Sequence, residues 1–119
     1  MGGLVESATE ALKIAGIEYQ VVRVPGAVEL PVTIQHFMKK NNDFTAAIAL
    51  GCVIKGESDH YELVTKSATD GLTQLALELK KPVIQGVLAC HNESQAMARK
   101  NLGAEFAETA IELTNLFAK

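Results

Sequence analysis

The sequence predicts an α/β domain: a parallel sheet with helices on both faces. Two observations carry this. Two almost unbroken apolar runs, Ala46–Val53 (AAIALGCV) and Pro82–Cys90 (PVIQGVLAC), have the length and composition of strands covered on both sides. Around them lie longer stretches whose apolar residues recur every three or four positions, as in amphipathic helices. Helices alternating with apolar strands imply parallel neighbours joined by right-handed crossovers.

Each element has its own justification. Leu4, Ala8, Ala11, Leu12 and Ala15 form the apolar stripe of an opening helix, and Gly16 is placed to end it. Tyr19–Val24 (YQVVRV) is rich in β-branched residues and reads as a strand, closed by Pro25-Gly26. A helix is predicted from about Val28 to Lys40, with Pro31 in its first turn, where the missing N–H costs little. Asn41-Asn42-Asp43 is a loop. After the run Ala46–Val53, Asp59 and Glu62 have capping-box spacing and open a helix. Leu63, Val64, Ala68, Leu72, Leu75, Ala76 and Leu79 carry its period to Lys80-Lys81, and Pro82 stops it. Asn92 and Gln95 repeat the capping spacing and open a short helix. A last helix covers about Gly103–Phe117, with Ala107, Ala110, Ile111, Thr114 and Leu116 toward the core.

At 119 residues the chain fits a single domain, 1–119. A net charge of −3 without a Lys/Arg cluster argues against nucleic-acid binding through phosphates. No apolar run is long enough for a membrane span. The start, MGGLVESATEAL, has no basic region of a secretory leader, so a cytoplasmic location with reduced thiols is expected. The two cysteines, Cys52 and Cys90, each end or follow an apolar run and read as small buried hydrophobes. Cys90-His91 has no second pair nearby, so no zinc site is expected. With no Trp and 5% aromatic residues, the core is aliphatic.

In parallel α/β sheets ligands bind beyond the carboxyl ends of the strands. That edge gathers Pro25–Glu29, Ile54–His60 and Cys90–Asn92. The loop Lys55-Gly56-Glu57-Ser58-Asp59-His60 offers a glycine, a hydroxyl and backbone N–H groups at a helix start, which suit a phosphate. An ordinary capped strand-to-helix turn has the same composition. His60, in the first turn, is a candidate proton acceptor or an exposed surface histidine. Glu29 is a carboxylate near a helix start, suited to a ligand's N–H groups or to the helix dipole. Arg99 could reach an anion held by Ser58, or simply be solvated. His36, mid-helix beside Phe37, reads as structural. No nucleophile elbow, CxxC or GxGxxG occurs.

Taken together, VPGAVELP (Val24–Pro31), AIALGCVIKGESDHYELV (Ala47–Val64), KPVIQGVLA (Lys81–Ala89), ESQAMAR (Glu93–Arg99) and GAEFAETAIELTNLF (Gly103–Phe117) resemble the lumazine synthase family in order and spacing. The resemblance implies a flavodoxin-like three-layer α/β/α sandwich. It implies self-association as a homopentamer or a sixty-subunit shell, with sites between neighbouring subunits. It also implies the condensation of 5-amino-6-(D-ribitylamino)uracil with 3,4-dihydroxy-2-butanone 4-phosphate, without metal or organic cofactor. By that resemblance His60 is the general acid/base, and Glu57, Ser58 and Arg99 hold the phosphate. Ala27, Val28 and Glu29, with Cys52, Val53 and Ile54, contact the pyrimidine. Gln85 falls where a neighbouring subunit contributes a contact.

The chain departs from the family pattern at four places. The family's first strand, central in its sheet, has no counterpart before the opening helix. The usual aromatic residues are missing at Val28 and Gln85, and the loop before the last helix is shortened to Lys100-Asn101-Leu102. Lost ring contacts predict weaker pyrimidine binding rather than lost chemistry. Two other readings stay open at this point: a non-catalytic relative with a scaffold or ligand-binding role, and an unrelated phosphate-binding module of similar fold.

Overall fold

In a computed structural model, residues 2–55 and 60–119 are described. The order is α1 (Gly2–Ile14), a 3₁₀ turn (Ala27–Glu29), α2 (Leu30–Lys40), β1 (Ala47–Ile54), α3 (Tyr61–Leu79), β2 (Val83–Cys90), α4 (Glu93–Ala98) and α5 (Leu102–Phe117). β1 and β2 pair in parallel, from Ala47 opposite Val83 to Ile54 opposite Cys90. The expected α/β architecture is therefore present, although among the described residues the sheet has two strands.

Side-chain alternation sorts the helices onto two faces. Ala49 and Val87 meet Leu30 of α2 and Leu72 of α3 on one side. Ile48 and Leu50 meet Ala8 and Leu12 of α1 and Ala107 of α5 on the other. Leu72 and Cys90 are the largest side chains that are wholly enclosed.

Local sequence sets the element ends. Gly16, at φ +73°, closes α1; its N–H donates to Lys13 O and that of Ile17 to Leu12 O, a Schellman ending that only glycine adopts freely. α3 ends on Lys80 at φ +58°, and Pro82 prevents continuation. Lys81 Nζ then reaches Phe44 O at 2.8 Å, tying the start of β2 to the lead-in of β1. Asn92 caps α4 by accepting from Gln95 N at 2.8 Å, as its spacing predicts. The Gln95 side chain reaches back to His91 N at 2.7 Å.

Three expectations are corrected. Tyr19–Val24 lies outside the sheet: β1 pairs with β2 alone, and a β-rich segment needs a ladder partner to become a strand. The segment's Val21 and Val22 are exposed. The helix expected from Val28 begins at Leu30, after a 3₁₀ turn that places Pro31 at its start. Leu63 and Leu116, placed on the apolar periods of their helices, are exposed at 67% and 54%; each lies in a terminal turn, the first of α3 and the last of α5. Asp59 lies outside the described residues, and His60 occupies the position before α3.

α1 and α5 approach closely at Gly103. A Cβ there would collide with the carbonyl of Leu4 and the hydroxyl of Ser7. Ser7 Oγ meanwhile donates to Lys100 O at 2.8 Å, fixing the two helices in register. The obstacle is largely main chain and cannot rotate away. Gly103→Ala is expected to cost about 3 kcal/mol, the upper end for overpacking. Urea unfolding monitored by circular dichroism measures this; an unchanged midpoint refutes the contact.

Candidate active site

The two strands end level, Ile54 opposite Cys90, and three segments converge beyond that edge. On the α2/α3 side the 3₁₀ turn Ala27–Glu29 follows the extended Gly26. Ala27 packs on the Leu72 cluster, so the turn is anchored from beneath. Val28 remains 45% exposed above it. The Glu29 carboxylate folds over its own turn, with Oε1 2.9 Å from where a Gly26 Cβ would be. The position lies at the start of α2, where the helix dipole favours an anion.

At the end of β1, Cys52 and Ile54 point to one face and Val53 to the other, where it packs on the Leu72 cluster. The next described residue after Lys55 is His60. Glu57 and Ser58 lie outside the described residues. His60 is exposed, and its carbonyl accepts Val64 N–H at 2.9 Å, beginning α3. Its main chain thus starts the helix, at the end of the segment that leaves β1.

Arg99 closes α4 just beyond β2. Its Nη1 donates to Cys90 Sγ at 3.9 Å, which holds the guanidinium beside the strand end. Cys90 is buried and Cys52 half-buried. Burial, and then a hydrogen bond with Cys90, push the Cys52 thiol up from 9.0 to about 11, while Arg99 pulls weakly the other way. A raised value means that the folded state keeps a proton the unfolded chain releases. The resulting stability is present below pH 9 and lost as pH climbs through about 11. The urea midpoint of the wild type should therefore fall more steeply over this window than that of Cys52→Ser. Parallel pH dependences would refute it.

Gln85 is not brought to this edge. It lies five positions before Cys90 on β2, roughly 16 Å along the strand. Its Nε2 donates to Thr69 Oγ1 at 3.0 Å and to Val87 O at 3.3 Å, on the α3 face. A groove of about 360 Å³ lined by Gln20, Phe37, Lys40, Asn41 and Phe44 lies near the opposite end, where the chain approaches β1. It has no acid–base pair and lies apart from the residues above. His36 stacks edge-on against Phe37 at 5.1 Å, in keeping with a structural role.

The sequence reading missed the adjacency of Cys52, Cys90 and Arg99. It treated the thiols as separate core residues, although both lie at or near the ends of consecutive apolar strands, which was the available signal. Among the described residues no group of three or more His, Cys, Asp or Glu converges, and no helix is long and apolar enough to cross a membrane.

Comparison with known proteins bears on what this edge does. Residues 1–118 match the family model described as 6,7-dimethyl-8-ribityllumazine synthase. A 6,7-dimethyl-8-ribityllumazine synthase of Pyrococcus furiosus is 40% identical over 121 residues, covering 98% of this chain and 76% of the relative. That of an Azoarcus species is 39% identical, with 96% and 75% covered. That of Burkholderia multivorans is also 39% identical, with 96% and 68% covered. Similarity on this scale runs through every segment that forms the strand-end edge, and the chain belongs to the 6,7-dimethyl-8-ribityllumazine synthase family.

Proposed function

We propose that this chain is a transferase of riboflavin biosynthesis. It condenses 5-amino-6-(D-ribitylamino)uracil with 3,4-dihydroxy-2-butanone 4-phosphate, giving 6,7-dimethyl-8-ribityllumazine, phosphate and water. The observation that carries this reading is the near-complete match to enzymes named for that product. The strand-end geometry supports it by bringing an imidazole, a guanidinium and a turn bearing a carboxylate to one edge.

Ala27, Val28 and Glu29 hold the pyrimidine and ribityl chain from the α2/α3 side, and Cys52, Val53 and Ile54 form the strand end beneath. Glu57 and Ser58 bind the phosphate of the butanone, and Arg99 neutralises its charge. His60 takes the proton from the attacking amine as the C=N bond forms and returns it to the departing water. Much of the acceleration comes from holding two substrates in contact, and that requires only rigid binding on both sides. Gln85, far along β2 from its own strand end, serves a site completed by a neighbouring copy. The working unit is thus a homo-oligomer, a pentamer or a sixty-subunit shell of single-domain subunits (1–119) in the cytoplasm.

The test mixes purified protein with both substrates and follows lumazine absorbance and fluorescence, with light scattering for the assembly. Product formation by an oligomer is expected. An assembled oligomer without turnover overturns the catalytic reading, and turnover by a monomer overturns the shared site.

A further inference from the structure

The register that levels the strand ends also places two thiols together. Cys52 lies opposite Leu88 and Cys90 opposite Ile54, so the cysteines are diagonal neighbours on the same face of the sheet. Both are free thiols, with Cys90 enclosed and Cys52 partly open to solvent. Arg99 Nη1 stands 3.9 Å from Cys90 Sγ.

Geometry limits what such a pair can do. Parallel strands set diagonal Cα atoms roughly 8 Å apart, beyond the about 7 Å that a disulfide bridges without backbone movement. An atom inserted between the sulfurs spans the gap. A tetrahedral ion needs four ligands, and among the described residues no third His, Cys, Asp or Glu joins the pair. Thiolate ligands favour Cu(I), zinc and iron–sulfur clusters; zinc and the clusters take four protein ligands, so two thiolates alone suit Cu(I), a soft d¹⁰ ion, in linear coordination.

We propose that Cys52 and Cys90 form a two-coordinate thiolate site for Cu(I), with the Arg99 guanidinium as its counter-charge. On binding, two S–H bonds break, two S–Cu bonds form, and two protons pass to solvent. No electron is transferred. The sulfur–copper–sulfur unit carries one negative charge, which Arg99 balances at the edge of a buried site. The ion enters past Cys52, the half-buried member of the pair.

The test titrates the reduced protein anaerobically with Cu(I) against the chromophoric chelator bicinchoninate, with X-ray absorption on the loaded sample. One copper per chain with two sulfur neighbours is expected. Cys52→Ser and Cys90→Ser should each abolish retention, and Arg99→Gln should weaken it by about 10–100-fold, as expected for a supporting residue. Near-UV circular dichroism confirms that the variants fold. A wild-type protein that yields its Cu(I) to the chelator, binds one ion per two chains, or shows nitrogen or oxygen neighbours overturns the proposal, whatever the variants do. Because the readouts are stoichiometry and coordination, failure here leaves the condensation reading untouched, and the converse also holds.

Discussion

Replacing His60 by alanine is expected to lower the rate of lumazine formation by about a hundredfold, the lower end for loss of a general acid/base. The lower end applies because orientation of the two substrates survives the change. The fold should survive too. His60 contributes its carbonyl to α3 by accepting Val64 N–H at 2.9 Å, and alanine supplies the same carbonyl. Far-UV circular dichroism and light scattering should therefore match the wild type while initial rates fall. The informative split lies between kcat and KM. A proton-transfer role lowers kcat with KM little changed, whereas a rise in KM alone would make the residue a binding group. An unchanged rate would remove His60 from the mechanism.

Leu72→Ala carries the largest expected cost to stability, about 3–5 kcal/mol. Leu72 has no exposed surface and joins Leu30, Ala49 and Val87, so it touches α2 and both strands. Its surroundings cannot close over the space left behind. At the adjacent Gly71 a Cβ would already be 2.8 Å from Pro31 Cγ, so α2 and α3 are in close contact there. A small domain has roughly 5–15 kcal/mol in total, and the variant should show a sharply lower urea midpoint. Leu72→Met, which keeps the volume, should cost less than about 1.5 kcal/mol. Equal losses in the two variants would show that shape, not volume, governs the position. The effect also reaches the site, since Ala27 rests on the same cluster. The folded fraction of Leu72→Ala should bind the pyrimidine more weakly than the phosphate substrate.

What the sequence revealed depended on how local each feature is. The strands AAIALGCV and PVIQGVLAC were legible because burial on both faces demands continuous apolar residues. The Asn92–Gln95 cap was legible because its partners are three residues apart, and the structure closes it at 2.8 Å. Tyr19–Val24 misled because strand propensity describes a side chain's fit to a sheet, and the ladder that would use it involves another element. Leu63 and Leu116 misled because a helical period says which face is apolar, not whether each position on it, above all in a terminal turn, is covered. At the site, residue types and their order were readable, and the strand-end rule pointed to the edge where Ala27–Glu29, the end of β1 and Arg99 lie, but not to the place of Gln85, which lies far along β2. The pairing of Cys52 with Cys90 was not, because it follows from strand register, a property of two distant segments at once.

The stretch from Ile17 to Val24 has a consequence for how the protein behaves when it is concentrated. Ile17, Tyr19, Val21 and Val22 are all exposed, and the backbone of the stretch joins no ladder. Such a segment is a template for edge-to-edge aggregation between newly made chains. Glu18 and Arg23 bracket it with opposite charges, the kind of gatekeeping that slows unwanted strand pairing. Those two charges oppose the loss of crowded chains to precipitate.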